Sequence, residues 1–179
     1  MKVLDLGCGW DKYVLEGAKV IGIDNRALPS VDIIHDLEEP LPFKDDEFDL
    51  VVASHVFEHI RNLIPLMSEV HRILKPDGML KAWMPYCASK DGFGWVTHIR
   101  GFSLSTMREF TYQGTPDIDI HRKWSIRREK LHFFRDADTG RWRAFRGMTA
   151  CLLNMWTNFT EKFFPHVIAE IYVEMVPIK

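Results

Sequence analysis

Five short apolar runs, each cut off by glycine, a carboxylate, a polar pair or proline, occupy the first half of the chain and leave few folds open to it. Val3-Leu4-Asp5-Leu6 stops at Gly7-Cys8-Gly9, and Val20-Ile21-Gly22-Ile23 stops at Asp24. Val31-Asp32-Ile33-Ile34 runs into His35-Asp36, residues 48–53 into Ser54-His55, and residues 79–84 into Pro85. Runs of this length read as buried strands, the third and fourth as interior ones. Between the fourth and fifth, Ile60, Leu63, Ile64, Met67, Val70, Ile73 and Leu74 recur at helical spacing, which predicts a helix over 57–74 closed by Lys75-Pro76-Asp77-Gly78. Strand, crossover, strand implies a parallel sheet with right-handed connections. The first crossover is lean: the stretch from Gly9 to Val20 includes Gly17 and has room for two helical turns at most.

The second half is less regular. A Gly-rich loop spans 86–102, and 103–110 reads as a short helix capped by Ser103. Residues 124–134 and 167–178 alternate as strands. Between them Trp142, Phe145, Met148, Leu152, Met155, Trp156, Phe159 and Phe163 form an apolar helical stripe over about 141–164, expected to be core or a homodimer face. A length of 179 residues fits one domain, with 1–85 as its cofactor-binding half and 86–179 as its substrate-side half.

Net charge is -2, so no global field draws the chain to nucleic acid or to an acidic membrane. The charge is nonetheless uneven: residues 1–60 hold 5 basic and 13 acidic side chains, residues 121–146 hold 9 and 3. Arg122, Lys123, Arg127, Arg128, Lys130, Arg135, Arg141, Arg143 and Arg146 interleave with aromatics, a pattern that suits either RNA or a plain solvated face. Three scattered cysteines argue against disulfides and a zinc knuckle, and no apolar run is long enough to span a bilayer, so a cytoplasmic, metal-free protein is expected.

The strand ends carry the chemistry. Gly7 and Gly9 permit close backbone approach to a ligand, with N–H groups turned towards a carboxylate. Asp24 is placed for two ribose hydroxyls, and Asp36 for an exocyclic amine with the backbone of Leu37 beside the ring. A dinucleotide fingerprint would need glycine at 12, where Lys12 stands, so NAD is disfavoured.

Taken together, Val3-Leu4-Asp5-Leu6-Gly7-Cys8-Gly9, Ile21-Gly22-Ile23-Asp24, Asp36-Leu37 with Leu41-Pro42-Phe43, Phe48-Asp49-Leu50-Val51-Val52 and Leu74-Lys75-Pro76-Asp77-Gly78 closely resemble the successive motifs of class I S-adenosylmethionine-dependent methyltransferases, compact and type 11-like. Residues 54–60 and 97–102 extend the resemblance. It implies an α/β, three-layer Rossmann-like fold: a mostly parallel seven-stranded sheet with an antiparallel last strand. It implies S-adenosyl-L-methionine as cofactor, with Asp5, Gly7, Cys8 and Gly9 at the methionine part, Asp24 at the ribose, Asn25 flanking the base, Asp36 and Leu37 at the adenine, and Ser54 and His55 near the sulfonium. The chain begins two residues before its first strand, so the usual N-terminal cover helix is expected to be lacking and isolated cofactor affinity to be weak.

Methyl transfer needs collinear nucleophile, carbon and sulfur more than it needs a base. Where a base is used, His55 leads, with His98 and His59 behind it. An Asn/Asp-Pro-Pro-aromatic signature is missing after the fourth run, where Ser54-His55-Val56-Phe57 stands, which favours oxygen of a small or sugar-type acceptor. RNA methylation through the basic arm and a non-catalytic cofactor-binding subunit are the alternatives.

Overall fold

The structure is a computed structural model that describes residues 1–111, 123–133 and 168–179. Its strands are β1 (Lys2–Leu6), β2 (Lys19–Asp24), β3 (Ile33–Ile34), β4 (Phe48–Ser54), β5 (Leu74–Pro85), β6 (Trp124–Phe133) and β7 (Ile168–Pro177). They form one seven-stranded sheet in the order β3-β2-β1-β4-β5-β7-β6. The five N-terminal strands pair in parallel, and β7 enters antiparallel between β5 and β6. This is the expected Rossmann-like sheet with its antiparallel last strand.

Helix α1 (Leu63–Ile73) buries Leu63, Leu66, Met67, Val70 and Ile73 in the main core. The helix expected over 57–74 is broken: a 3-10 turn, Phe57–His59, comes first, and α1 starts only at Leu63. Pro65 is the reason, since its missing N–H and its ring are tolerated only in a first turn. The Glu38 carboxylate fills the gap by accepting the N–H groups of Arg61 and Asn62, at 2.5 and 3.1 Å.

Three further expectations are corrected. The β1–β2 connection carries no helix; Tyr13, Leu15 and Ala18 instead lay side chains over Val3, Leu50 and Val52 on the second face of the sheet. β3 is a two-residue edge strand, not an interior one: it lies last in the sheet order beside β2. Ahead of it the Asp32 carboxylate takes the place of a backbone carbonyl, accepting the Gly22 N–H and the Lys12 ammonium, each at 2.7 Å, while Asp32 N–H donates to Gly22 O at 2.9 Å. The turn expected at 75–78 is absorbed into β5, where the pairing with β4 shifts between Phe48 and Leu50.

The loop after β5 is tied at its base by the Tyr86–Phe102 bridge and by Cys87 N–H donating to Phe102 O at 2.7 Å. It contains the short helix α2 (Lys90–Phe93), and α3 (Leu104–Arg108) follows with Ser103 and Thr106 capping each other as expected. The stripe at 141–164, with the dimer face expected there, lies outside the described residues, as do Arg122, Arg135, Arg141, Arg143 and Arg146. Among the described residues, no helix is long and apolar enough to cross a membrane.

Candidate active site

From β1 the chain adds strands outwards to β2 and β3, then returns past β1 to β4. The strand order therefore reverses between β1 and β4, and a crevice opens at their carboxyl ends. A cavity of about 560 Å³ lies there. Asp5, Gly7, Cys8 and Tyr13 line one side of it; Ser54, His55, Trp83, His132 and Glu170 line the other.

The glycine turn is built as its residues predict, with Gly7 at φ +60° and Gly9 at φ +57°. The Cys8 and Gly9 amides are not turned towards a ligand carboxylate, which corrects the sequence reading at Gly9. Cys8 N–H donates to Ile23 O at 3.2 Å and Gly9 N–H to Asp24 Oδ2 at 3.0 Å, so the turn is stitched to β2. Burial pushes the Cys8 thiol up to about 11, which leaves it unreactive.

His55 is the other strained point, a non-glycine residue at φ +55° whose N–H donates to Trp83 O at 2.9 Å. Its Nε2 sits 3.2 Å from Glu170 Oε1 and its Nδ1 3.3 Å from Glu58 Oε1. The Glu170 contact first, then Glu58, lifts the imidazole to about 9. With both nitrogens against carboxylates, His55 has no lone pair to offer, so in this arrangement it is a charged donor and not the base that its ordinary value suggested. Burial favours neutral Glu170, but His132 Nδ1 at 3.3 Å and His55 outweigh it and hold that carboxyl at about 2.

Asp5 is only 4 % exposed, and burial pushes its carboxyl up to about 6 although Oδ2 accepts the Tyr13 N–H at 2.7 Å. A raised carboxyl binds its proton more tightly folded than unfolded. Its stabilising contribution is complete below pH ~4 and is lost as pH climbs through ~6, a swing of about 2–3 kcal/mol. Asp5→Asn, which keeps an acceptor for Tyr13, therefore melts several degrees above wild type at pH 8 and no higher at pH 4. Differential scanning calorimetry across that range checks it, and a gain independent of pH refutes it.

The remaining candidates lie apart from the cavity. Buried Asp24 accepts from the Arg26 N–H at 3.0 Å and Nε at 3.1 Å as well as from Gly9. Burial pushes this carboxyl upward, but these donors outweigh it and hold it below the usual range. Asn25 and Asp36 are exposed, Asp36 Oδ1 accepting Glu38 N–H at 3.0 Å, and Leu37 is buried in the core. His98 lies in the loop after β5, its ring against that of His59 with centroids 4.8 Å apart. Trp83, His132 and Glu170 escaped sequence reasoning. The one available signal was a carboxylate within an apolar stretch, Ile168-Ala169-Glu170-Ile171.

Residues 4–82 match the family model described as a methyltransferase domain. Among curated relatives, the mitochondrial arginine-hydroxylase NDUFAF5 of Homo sapiens is 44% identical over 92 residues, 42% of this chain and 26% of that protein. The mitochondrial ubiquinone biosynthesis O-methyltransferase of Rattus norvegicus is 37% identical over 101 residues, 45% of this chain and 29% of that protein. The chain spans less than half the length of the curated relatives it matches. An Archaeoglobus fulgidus S-adenosylmethionine-dependent methyltransferase structure superposes with a TM-score of 0.62 over 98% of this chain and 85% of that one; at 18% identity the likeness is one of fold.

Proposed function

We propose that the chain, whose residues 4–82 match the methyltransferase-domain model and whose fold is that of a structure named for S-adenosylmethionine dependence, uses S-adenosyl-L-methionine and passes the sulfonium methyl to an oxygen of a small or sugar-type acceptor, in the cytoplasm. The observation that carries this reading is one cavity whose walls join Asp5 and the Gly7 turn to Ser54, His55, His132 and Glu170. Asp5 and the turn hold the methionine part, and Asp24 the ribose. Asp36 and Leu37 take the adenine with Asn25 beside it, and Ser54 and His55 border the reacting carbon.

When bound, S-adenosylmethionine would supply an activated methyl group for in-line displacement by the acceptor oxygen, with S-adenosylhomocysteine as the leaving group and the hydroxyl proton lost to solvent. This chain contributes alignment and a hydrogen-bond donor at His55, in keeping with chemistry that rests on collinearity. The rat relative named for O-methylation supports an oxygen acceptor. RNA has less behind it: of the basic arm, Arg127 and Arg128 are exposed on the edge strand β6, where cations ordinarily guard an unpaired edge.

Incubation with S-adenosylmethionine and a panel of hydroxylated metabolites, sugars and RNA, read by mass spectrometry for S-adenosylhomocysteine, tests the proposal. Release with a hydroxylated small molecule is expected, and His55→Ala retains product binding while losing about 10²-fold in turnover. Unchanged turnover removes His55 from the mechanism. Binding without release by any acceptor points to a non-catalytic subunit, and an acceptor gaining oxygen in place of a methyl group points to hydroxylation, the activity for which the human relative is named.

A further inference from the structure

We propose that Glu58, His59 and His98 form a binding site for a divalent first-row transition-metal ion, outside the cavity but sharing Glu58 with the His55 of its wall. One oxygen of Glu58, one ring nitrogen of His59 and one of His98 all lie within 4.8 Å of one another. Glu58 is completely buried, yet among the described residues neither of its carboxylate oxygens accepts a hydrogen bond of good geometry. Its charge partner is the His55 imidazole, with Nδ1 3.3 Å from Oε1, a long contact on one oxygen that leaves Oε2 with none. Burying an ionisable group in this way is unfavourable unless something else satisfies it.

The two histidines are already oriented. His59 Nδ1 lies 3.1 Å from Thr97 O, and His98 Nδ1 lies 3.1 Å from Gly92 O. A carbonyl only accepts, so in each ring Nδ1 is the donor and Nε2 keeps a lone pair. Metal-ligating imidazoles are commonly held in this way. The backbone reinforces the approach, Ile99 N–H donating to Glu58 O at 3.0 Å, so the loop bearing His98 is pinned to the 3-10 turn bearing the other two ligands.

The donor set selects the ion. Two imidazoles and a carboxylate suit zinc, manganese, iron(II), cobalt or nickel, whereas calcium and magnesium prefer all-oxygen shells. Three protein ligands leave positions for water, and exposed His59 gives an ion access from solvent. The sequence reading expected no metal because it sought cysteine spacing; Glu58-His59 with a distant His98 carries no such periodic signature.

The test uses the full chain after chelator treatment, titrated with Co²⁺ and followed by visible d–d absorption and calorimetry, then challenged with Zn²⁺. One ion per chain is expected, displaced by zinc, with Glu58→Gln and His98→Ala each weakening affinity at least tenfold. Zinc should also raise the melting temperature of wild type and leave that of His98→Ala unchanged. Failure of wild type to take up an ion, or equal affinity in His98→Ala, overturns the proposal. That half-buried loop residue decides the matter if Glu58→Gln does not fold.

Discussion

Gly7→Ala is expected to lose about 2–4 kcal/mol of stability and, with it, measurable cofactor binding. Two separate penalties combine. At φ +60° any side chain costs about 1–2 kcal/mol. A Cβ built there would also stand 2.7 Å from Val56 Cγ2 and 3.3 Å from Cγ1. Val56 is buried and adjoins His55, so it has no empty space to retreat into and its displacement shifts the cavity wall. Urea unfolding of Gly7→Ala, Val56→Ala and the double variant separates the two penalties. Val56→Ala should relieve the collision and leave the backbone cost, giving a positive coupling between the sites. A wild-type midpoint for Gly7→Ala would mean that the turn is not built as described.

Asp24→Asn should weaken S-adenosylhomocysteine binding by roughly 10- to 100-fold while the protein stays folded, the size expected for losing hydrogen bonds to a charged acceptor. The carboxylate accepts from Gly9, which an asparagine oxygen can still do, and pairs with Arg26, whose side chain is 58% exposed. That guanidinium lies on the carboxylate that the proposal assigns to the ribose, so cofactor entry must move it aside. Arg26→Ala should therefore bind the cofactor no worse than wild type, and better if displacing the ion pair opposes binding. Calorimetric titration of both variants checks this; equal affinity for Asp24→Asn and wild type would remove Asp24 from the site.

Much of the sheet is legible in the sequence because the apolar runs ending at Gly7, Asp24 and Ser54 have the length and composition of buried strands. Ser103 likewise announced its helix, since a hydroxyl before an apolar turn has a specific local job. What failed was read over longer spans or depended on one overlooked residue. Pro65 sat unnoticed within a helical pattern and fixed where α1 begins. The spacing from Gly9 to Val20 allowed two helical turns, yet the chain takes none and uses Tyr13 and Leu15 to cover the sheet.

The site divides in the same way. Gly7 was legible because it ends a strand, and Asp5 and Ser54 through the resemblance of the motifs that hold them. Glu170 and His132 were not, because Glu170 reaches His55, and His132 reaches Glu170, only through the β5-β7-β6 order, a pairing between segments more than a hundred residues from β1. The arrival of Glu170 changed the chemistry: with Glu58 already three residues along the chain, it turns the leading candidate base into a donor flanked by two carboxylates.

Titration calorimetry of the purified chain with S-adenosylhomocysteine tests the central claim most directly. The account predicts saturable binding at one site per chain, weakened by Asp24→Asn and lost in Gly7→Ala. Absence of binding to wild type at millimolar ligand, or affinity indifferent to both substitutions, would contradict it.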